Sequence, residues 1–291
     1  MFFFPPSAMN NPRPIYKNPY ELLHIYYLNG VSGLRDRDVD HARFLGMWVE
    51  EDTCFLFFSN EVDTYIDELI DPLPGIELVE KYEMTMEQWH GDKIVPYRVE
   101  DLMICPPWEQ EALQREGMQP IILDPGVVFG TGRHQTTEDC LVLIQRILGR
   151  EKIDRVLDIG TGTGILSLAA SLLGCPHVVA IDFNLLAVRT TLKNVRHNRM
   201  EDRILCVQAR GEEMASIPSD LLIANIHFDV MKHLVETPGF LTSTWFILSG
   251  LLNSEAVKIL GQLKTKPVQV IERRCPDGVW NTILGRVTQI D

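Results

Sequence analysis

The second half of the chain alternates short apolar runs with amphipathic segments, and this pattern constrains the fold most strongly. Runs rich in β-branched residues predict strands at 155–160, 177–182, 204–208, 220–226 and 244–250. Helical periodicity fills the intervals and the segment ahead of them, at 138–149, 165–174, 185–198, 229–236 and 254–263. Parallel strands joined by helices are buried on both faces and therefore lack polar alternation. The pattern predicts an α/β fold with a parallel sheet between two helical layers.

The two ends of the chain differ from this core. At the carboxyl end, "PVQVIERRC" and "WNTILGRV" flank the turn "PDGV", which predicts an antiparallel hairpin closing the sheet. Nearer the amino end, strands at 22–28, 54–59 and 75–84 and a helix at 61–70 predict a small α+β unit. We therefore expect an amino-terminal recognition domain at 1–84, with an irregular arm at 1–18. A connecting region at 85–120 and a ligand-binding domain at 121–291 follow.

Composition excludes several classes of protein. The 291 residues carry a net charge of −13, so direct nucleic-acid binding is not expected and a basic partner is favoured. No apolar run is long enough for a membrane span, and the amino terminus lacks the features of a secretory signal. The six cysteines show no metal-ligand spacing, so no metal site is expected and a reducing, cytoplasmic location is favoured.

A glycine-rich loop, "DIGTGTG", follows the first strand of the predicted sheet. Gly160, Gly162 and Gly164 allow sharp turns and a close approach of backbone to ligand. The spacing is GxGxG and not the GxGxxG of dinucleotide sites, and no lysine follows as in a P-loop. With Asp158 ahead of the glycines, the loop resembles the S-adenosylmethionine loop of class I methyltransferases. A purely structural turn is the alternative.

Acidic residues after the next two strands fit the same ligand. Asp182 ends the second strand, where a carboxylate can accept hydrogen bonds from both ribose hydroxyls. A nicotinamide enzyme would place an acid there too, and an acid that begins a turn is the structural alternative. The third strand leads into "ARGEEM", whose Glu212 or Glu213 is expected near an adenine amino group. Solvated loop charges explain these two glutamates equally well.

The fourth strand ends in "ANIHF". An enzyme that methylates nitrogen must aim the lone pair of a neutral amine at the methyl group. The side-chain oxygen of Asn225 and the carbonyl of Ile226 can accept the hydrogens of that amine, and Phe228 can lie against the developing cation. Asn225 is also expected to contact the cofactor, and a helix cap is the structural alternative for it. His227 is either a proton acceptor or a histidine with structural hydrogen bonds.

One further motif is more specific. "LDPGVVFGTGRHQTT" at 123–137 resembles the signature of the ribosomal protein L-eleven lysine methyltransferases, the PrmA family. "ICPPWE", "VLDIGTGTGILSLAA", "IANI" and "ILSGLL" match the same family in order and spacing. The resemblance covers residues 80–291 well and the preceding residues in outline. The motif is interpreted as a lid on the methionine end of the cofactor. The expected lid contacts are Phe129, Gly130, Thr131, Gly132, Thr136 and Thr137.

The resemblance implies a class I methyltransferase with a Rossmann-like sheet and a small ferredoxin-like domain that docks a ribosomal protein. It also implies S-adenosylmethionine as cofactor and transfer of methyl groups to lysine side chains and the terminal amine. One threonine near Thr137 is also a possible helix cap, while Arg133 and His134 face substrate or solvent. The sequence departs from the family in its longer arm, in "ANIHF" and in "ARGEEM".

Three alternatives stay open at this point. The substrate is either the ribosomal protein or another protein lysine or small amine. The Asn–x–x–Phe pattern is also typical of enzymes that methylate nucleic-acid bases, although the net charge of −13 opposes such a substrate. A homologue that binds the cofactor without turnover is the non-enzymatic alternative.

Overall fold

The computed structural model describes residue 18 and residues 20–31, 34–110, 120–128 and 130–288. Most of the predicted arm lies outside the described residues, as do Phe129 and positions 111–119 of the connecting region.

The larger sheet has seven strands in the order β10-β9-β8-β11-β12-β14-β13. Strands β8 to β12 run parallel, and β14 pairs antiparallel with both β12 and β13. The strands are β8 (Arg155–Ile159), β9 (His177–Asp182), β10 (Ile204–Gln208), β11 (Leu221–Asn225), β12 (Trp245–Leu252), β13 (Val268–Arg274) and β14 (Trp280–Val287). The class I methyltransferase fold with its carboxyl-terminal hairpin is therefore confirmed.

Helices cover both faces of this sheet. They are α3 (Gln135–Leu148), α4 (Ile165–Leu172), α5 (Leu185–Asn198), α6 (Gly211–Met214), α7 (Phe228–Leu234) and α8 (Asn253–Leu263). One apolar core joins the sheet to α3, α4 and α5, and a second joins it to α7 and α8. The chain turns into α5 at Asn184, whose side chain accepts a hydrogen bond from the Leu186 amide at 2.9 Å.

The amino-terminal unit is a four-stranded antiparallel sheet in the order β2-β3-β1-β4. Its elements are β1 (Leu23–Asn29), β2 (Phe44–Glu50), β3 (Thr53–Phe58), α1 (Asp63–Ile70) and β4 (Glu77–Met84). The small α+β domain is confirmed, and its strand order is that of a ferredoxin-like sheet. Between β1 and β2, the described residues form only a short 3-10 turn at Asp36–Asp38 where that fold usually has a helix.

Strand β2 was missing from the sequence-based prediction. Its segment, "FLGMWVE", contains aromatic and β-branched residues that favour a strand, but Gly46 interrupts the apolar run and lies at an irregularity in the pairing with β3. Pairing with β3 from Phe44 to Glu50 supplies the backbone hydrogen bonds that propensity does not predict.

The connecting region contains regular structure in its described part. A helix, α2 (Met86–His90), is followed by β5 (Tyr97–Val99) and β6 (Leu102–Cys105), and these two strands form a three-stranded sheet with β7 (Ile121–Ile122). Strand β7 leads directly into the 123–137 motif. The division of the chain near residue 120 stays a prediction.

The described residues contain no membrane-spanning helix, no disulfide and no cluster of metal-ligating side chains. None of the helices in the described ranges is both long enough and apolar enough to cross a bilayer. Each of the six cysteines lies among the described residues and is a free thiol. Within those residues, no group of three histidine, cysteine or acidic side chains is arranged to hold a metal ion.

Candidate functional site

A cavity of about 370 Å³ opens at the carboxyl ends of β8 and β9. The order of the parallel strands reverses between β8 and β11, and ligands of open α/β sheets bind at such a switch point. The volume lies within the range of small-molecule sites, roughly 300–1,000 Å³. The structure brings five of the predicted site residues into its walls, which are Gly160, Gly162, Asp182, Glu212 and Ile226.

The glycine loop forms one wall of this cavity. Gly160 has a φ of +71°, and a Cβ at this position would lie 2.2 Å from Cγ2 of Ile226. Gly164 begins α4 with a φ of +85°, and its Cβ would lie 2.8 Å from Cγ2 of Thr191. Both positions therefore require glycine for conformation and for space. The predicted tight turn is present, and Gly164 packs against α5 instead of lining the cavity.

Asp182 faces the cavity from the end of β9. One carboxylate oxygen accepts a hydrogen bond from the Gly162 amide at 3.0 Å, and the other accepts from the Asn184 amide at 3.0 Å. Burial raises the pKa of Asp182, because desolvation penalises the charged form. The two amide bonds hold the carboxylate in one orientation, and the glycine loop is thereby tied to the start of α5.

Asp158 lies beneath the loop and does not line the cavity. Its Oδ2 accepts hydrogen bonds from the Thr161 hydroxyl at 2.7 Å and the Ser167 hydroxyl at 2.6 Å. Its Oδ1 has no hydrogen-bond partner among the described residues. Burial raises the pKa of Asp158 to about 6. The structure therefore places this predicted cofactor residue as a support of the loop.

Glu212 lines the cavity from the first turn of α6 and forms an ion pair with Arg210 at 3.6 Å. Apolar residues from the ends of three elements form the neighbouring walls, namely Ile159, Ile181 and Val230. Two carboxylates set among apolar walls, next to a glycine loop, fit a nucleoside-containing cofactor such as S-adenosylmethionine. Glu213, the second candidate of "ARGEEM", does not line the cavity.

Asn225 and Ile226 present two hydrogen-bond acceptors beside the cavity. The amide nitrogen of Asn225 donates to the Thr137 hydroxyl at 3.2 Å, which leaves Oδ1 directed away from Thr137. A Cβ built on Gly250 would lie 2.8 Å from the Ile226 carbonyl oxygen and 3.2 Å from Oδ1 of Asn225. Both acceptors therefore converge on the space above Gly250.

Gly250 is a site residue that sequence reasoning missed. It has a φ of +85°, and β12 shifts register against β14 between Leu248 and Leu251. Bulges of this kind are frequent next to active sites. A glycine inside the apolar strand "WFILSGLL" was the available signal, because a strand-interior glycine often marks a bulge or a close approach.

Of the two residues that follow Ile226, His227 lines the cavity and Phe228 does not. Phe228 begins α7 outside the cavity, and the ammonium groups of Lys232 and Lys258 lie 5.7 and 5.2 Å from its ring centroid. His227 lines the cavity and is the N-cap of α7, next to Asp229. A contact between Phe228 and the reacting amine stays a prediction that these positions do not support.

The 123–137 motif is held by contacts with other elements. The Thr163 hydroxyl donates to the Gly130 carbonyl at 2.7 Å, and the Tyr97 hydroxyl donates to the Thr131 carbonyl at 3.0 Å. Gly132 lies so close to Tyr97 that a Cβ would be 1.8 Å from that hydroxyl. Among the described residues of the motif, Val128 alone lines the cavity. Contact of Gly130, Thr131 and Gly132 with the cofactor stays a prediction.

The end of the motif starts α3. The helix begins at Gln135, and the side chain of His134 accepts the Thr136 amide as its N-cap. The possible threonine cap near residue 137 is therefore not present, because the helix starts two residues earlier than that position. Thr136 and Thr137 are buried in the first turn, where Thr137 contacts Asn225. The His134 ring also packs edge-on against Trp280 at 5.0 Å, and burial lowers the pKa of His134.

Several wall residues carried no signal in the sequence. Phe183 follows Asp182 and is 64% exposed, and Arg210 and Val230 come from loops and helix ends. Trp48 comes from β2 of the amino-terminal sheet, more than a hundred residues before Asp182 in the chain. Only the tertiary structure brings this side chain to the cavity.

Comparison with known proteins agrees with this geometry. The model of the family described as ribosomal protein L11 methyltransferase (PrmA) matches residues 49–288. A ribosomal protein L11 methyltransferase of Geobacter sp. strain M21 is 40% identical over 163 residues, which cover 53% of this chain and 52% of that protein. One of Clostridium perfringens strain SM101 is 30% identical over 254 residues, which cover 83% of this chain and 78% of that protein.

A solved structure of a ribosomal protein L11 methylase from Lactobacillus delbrueckii subsp. bulgaricus superposes with a TM-score of 0.54. It is 25% identical, and the match covers 68% of this chain and all of that chain. The predicted family is confirmed. The family and the fold imply an S-adenosylmethionine-dependent methyltransferase, so the predicted enzyme class and cofactor are confirmed as well. The chain belongs to the ribosomal protein L11 methyltransferase family.

Proposed function

We propose that this chain transfers methyl groups to lysine amines of a basic ribosomal protein, the counterpart of the L11 protein for which its relatives are named. The proposal rests on two hydrogen-bond acceptors beside the cofactor cavity. Asn225 Oδ1 and the Ile226 carbonyl converge on the space above Gly250. Both groups are hydrogen-bond acceptors, which suits the hydrogens of an amine.

The two acceptors would orient the amine for in-line transfer. Hydrogen bonds from its N–H groups fix the direction of the lone pair, and such positioning removes much of the entropic barrier. When bound, S-adenosylmethionine supplies an electrophilic methyl group on a sulfonium. Thr137 holds the Asn225 amide so that Oδ1 and not Nδ2 faces the amine. Desolvation between the lid motif and β12 would lower the pKa of the lysine amine and favour its neutral form.

Substrate docking is assigned to the amino-terminal domain, residues 1–84, with residues 85–120 connecting it to the methyltransferase domain at 121–291. A net charge of −13 would speed encounter with a basic protein, because electrostatic steering acts mainly on the association rate. The same charge opposes direct nucleic-acid binding. A ribosomal substrate also places the reaction in the cytoplasm.

Intact mass spectrometry tests the substrate. Large-subunit ribosomal proteins from cells lacking this activity would be incubated with the purified chain and S-adenosylmethionine. We expect mass increases of whole methyl groups on the L11 protein alone. Mass increases on a different protein or on a small amine would show that the L11 protein is not the substrate. Cofactor binding without any methyl transfer would support the non-enzymatic alternative.

Variants at the acceptor pair test the chemistry. Asn225→Ala and Gly250→Ala should each lower the rate of methyl transfer about 100-fold or more, by analogy with removal of one transition-state hydrogen-bonding group. The affinity of Asn225→Ala for S-adenosylhomocysteine should stay within about twofold, since Asn225 does not line the cavity. Gly250→Ala also displaces the Ile226 backbone in the cavity wall, so its transfer rate is measured at saturating cofactor. Gly278→Ala is the matched control for Gly250→Ala, because Gly278 also has a positive φ but faces open space. Transfer at the wild-type rate in both site variants would contradict the proposed role.

A further inference from the structure

The amino-terminal sheet has two covered faces, and only one of them is covered by its own helix. Met47 and its neighbours on one face pack in a core with Ile66 of α1. The other face packs against the methyltransferase domain, where Ile25 and Phe57 meet Val128 and Leu186. The sheet is therefore sandwiched between α1 and the domain that holds the cofactor cavity.

Helix α5 is the main contact for this second face. A Cβ on Gly46 would lie 2.3 Å from Cδ1 of Leu186, so β2 lies directly against the first turn of the helix. Asp36, in the turn before β2, forms an ion pair with Arg189 one turn further along. Helix α5 starts three residues after Asp182, so β2 is docked on the element that follows the carboxylate of the cofactor cavity.

Trp48 lies on β2 two residues after Gly46 and faces the same side. It packs against the core that contains Val128 and Ala187, and all three residues line the cavity. The half-buried indole therefore supplies a flat apolar surface to the cavity from the other domain. Such a surface suits an adenine ring or a sulfonium cation, since aromatic faces bind both flat π-systems and positive charge.

We propose that Trp48 is a cofactor-contacting residue and that the cofactor cavity is complete only when the amino-terminal sheet is docked on α5. The inference rests on the confirmed cofactor and not on the identity of the methylated protein. Docking and cofactor binding are then coupled reciprocally: cofactor in the cavity favours the docked sheet, and a docked sheet raises cofactor affinity. A protein substrate held by the amino-terminal domain would shift the same equilibrium between docked and undocked sheet.

Calorimetric titration of the full-length protein with S-adenosylhomocysteine tests the contact. Trp48→Ala should weaken binding about tenfold, the amount expected for loss of one aromatic contact, and Trp48→Phe should recover part of it. Val49→Ala, an exposed neighbour on the same strand, is the matched control and should bind as the wild type does. Thermal unfolding would verify that each variant is folded. Equal affinity of folded Trp48→Ala and wild type would overturn the inference.

A charge swap tests the coupling, because Asp36 and Arg189 do not line the cofactor cavity. Arg189→Glu should weaken S-adenosylhomocysteine binding a few-fold by opposing docking, and adding Asp36→Lys should restore it. Unchanged affinity in Arg189→Glu would overturn the coupling even if Trp48→Ala binds weakly. A wild-type protein that bound no S-adenosylhomocysteine would instead remove the cofactor on which the proposed function itself depends.

Discussion

Two loops adjoin the cavity at the carboxyl ends of β8 and β9, and they differ in how they are built. The loop at Gly160–Gly164 lines the cavity through its first two glycines. Its shape comes from positive φ angles, from Asp158 directly beneath it and from the Asp182 carboxylate at the end of the next strand. The 123–137 motif is the more family-specific of the two, yet it is held by contacts from distant elements, including Tyr97 and Thr163. The motif reaches the cavity wall at Val128.

The difference shows that a recognisable sequence motif can indicate either a ligand-binding loop or a contact between elements. A glycine loop signals a backbone path that a ligand can approach, so the loop itself indicates the binding site. The 123–137 motif signals an arrangement of several elements, since it links β7, α3 and α5. The Asp124 amide, for example, donates to the Asn194 side chain of α5 at 2.8 Å. Changes in the two loops should therefore have different consequences.

The largest expected effect is on the glycine loop. Gly160→Ala would introduce a Cβ 2.2 Å from Ile226 at a φ of +71°. The strain and displacement should weaken S-adenosylhomocysteine binding more than about 100-fold, measured by calorimetry. Gly174→Ala, also at positive φ but with nothing within 4 Å of its Cβ, should bind normally. Normal binding by Gly160→Ala would show that the loop tolerates a side chain at this position.

The buried carboxylate beneath the loop gives a pH-dependent effect. Burial raises the pKa of Asp158 to about 6 from its usual 3.8, so its contribution to stability is complete at low pH and is lost as pH rises through 6. The stability of Asp158→Asn relative to wild type should therefore improve by about 2 kcal/mol between about pH 4.5 and pH 7.5. Denaturant unfolding at several pH values measures this change, with exposed Asp202→Asn as control. A pH-independent difference would contradict the buried, desolvated carboxylate.

The smallest expected effect is on the 123–137 motif. Tyr97→Phe removes the hydroxyl that donates to Thr131 and keeps the ring that packs near Arg133. Loss of this hydrogen bond should lower the free energy of unfolding by about 1 kcal/mol. Tyr82→Phe, whose hydroxyl bonds the surface residue Glu80, is the control and should change stability by less than about 0.5 kcal/mol. A loss in Tyr97→Phe as small as that of the control would show that the motif does not depend on this hydrogen bond.

Much of the methyltransferase domain could be predicted because its signals are local. The strand ending at Asp182 and the helix from Leu185 to Asn198 appear where the apolar periodicity places them. Strand β2 could not be predicted, because Gly46 interrupts its apolar run and its pairing with β3 is a contact between segments. The start of α3 was also misjudged, since the side chain of His134 acts as cap where a threonine was considered.

The sequence by itself determined the layered α/β domain, the glycine loop, the acid at Asp182 and the family, because each depends on residues close together in the chain. Only the tertiary structure decided that Asn225 and Ile226 converge above Gly250, and that Trp48 forms a wall of the cavity beside Asp182. These arrangements depend on a bulge in one strand and on the docking of one domain against another. Such contacts join residues far apart in the chain, and periodicity and propensity carry no information about them.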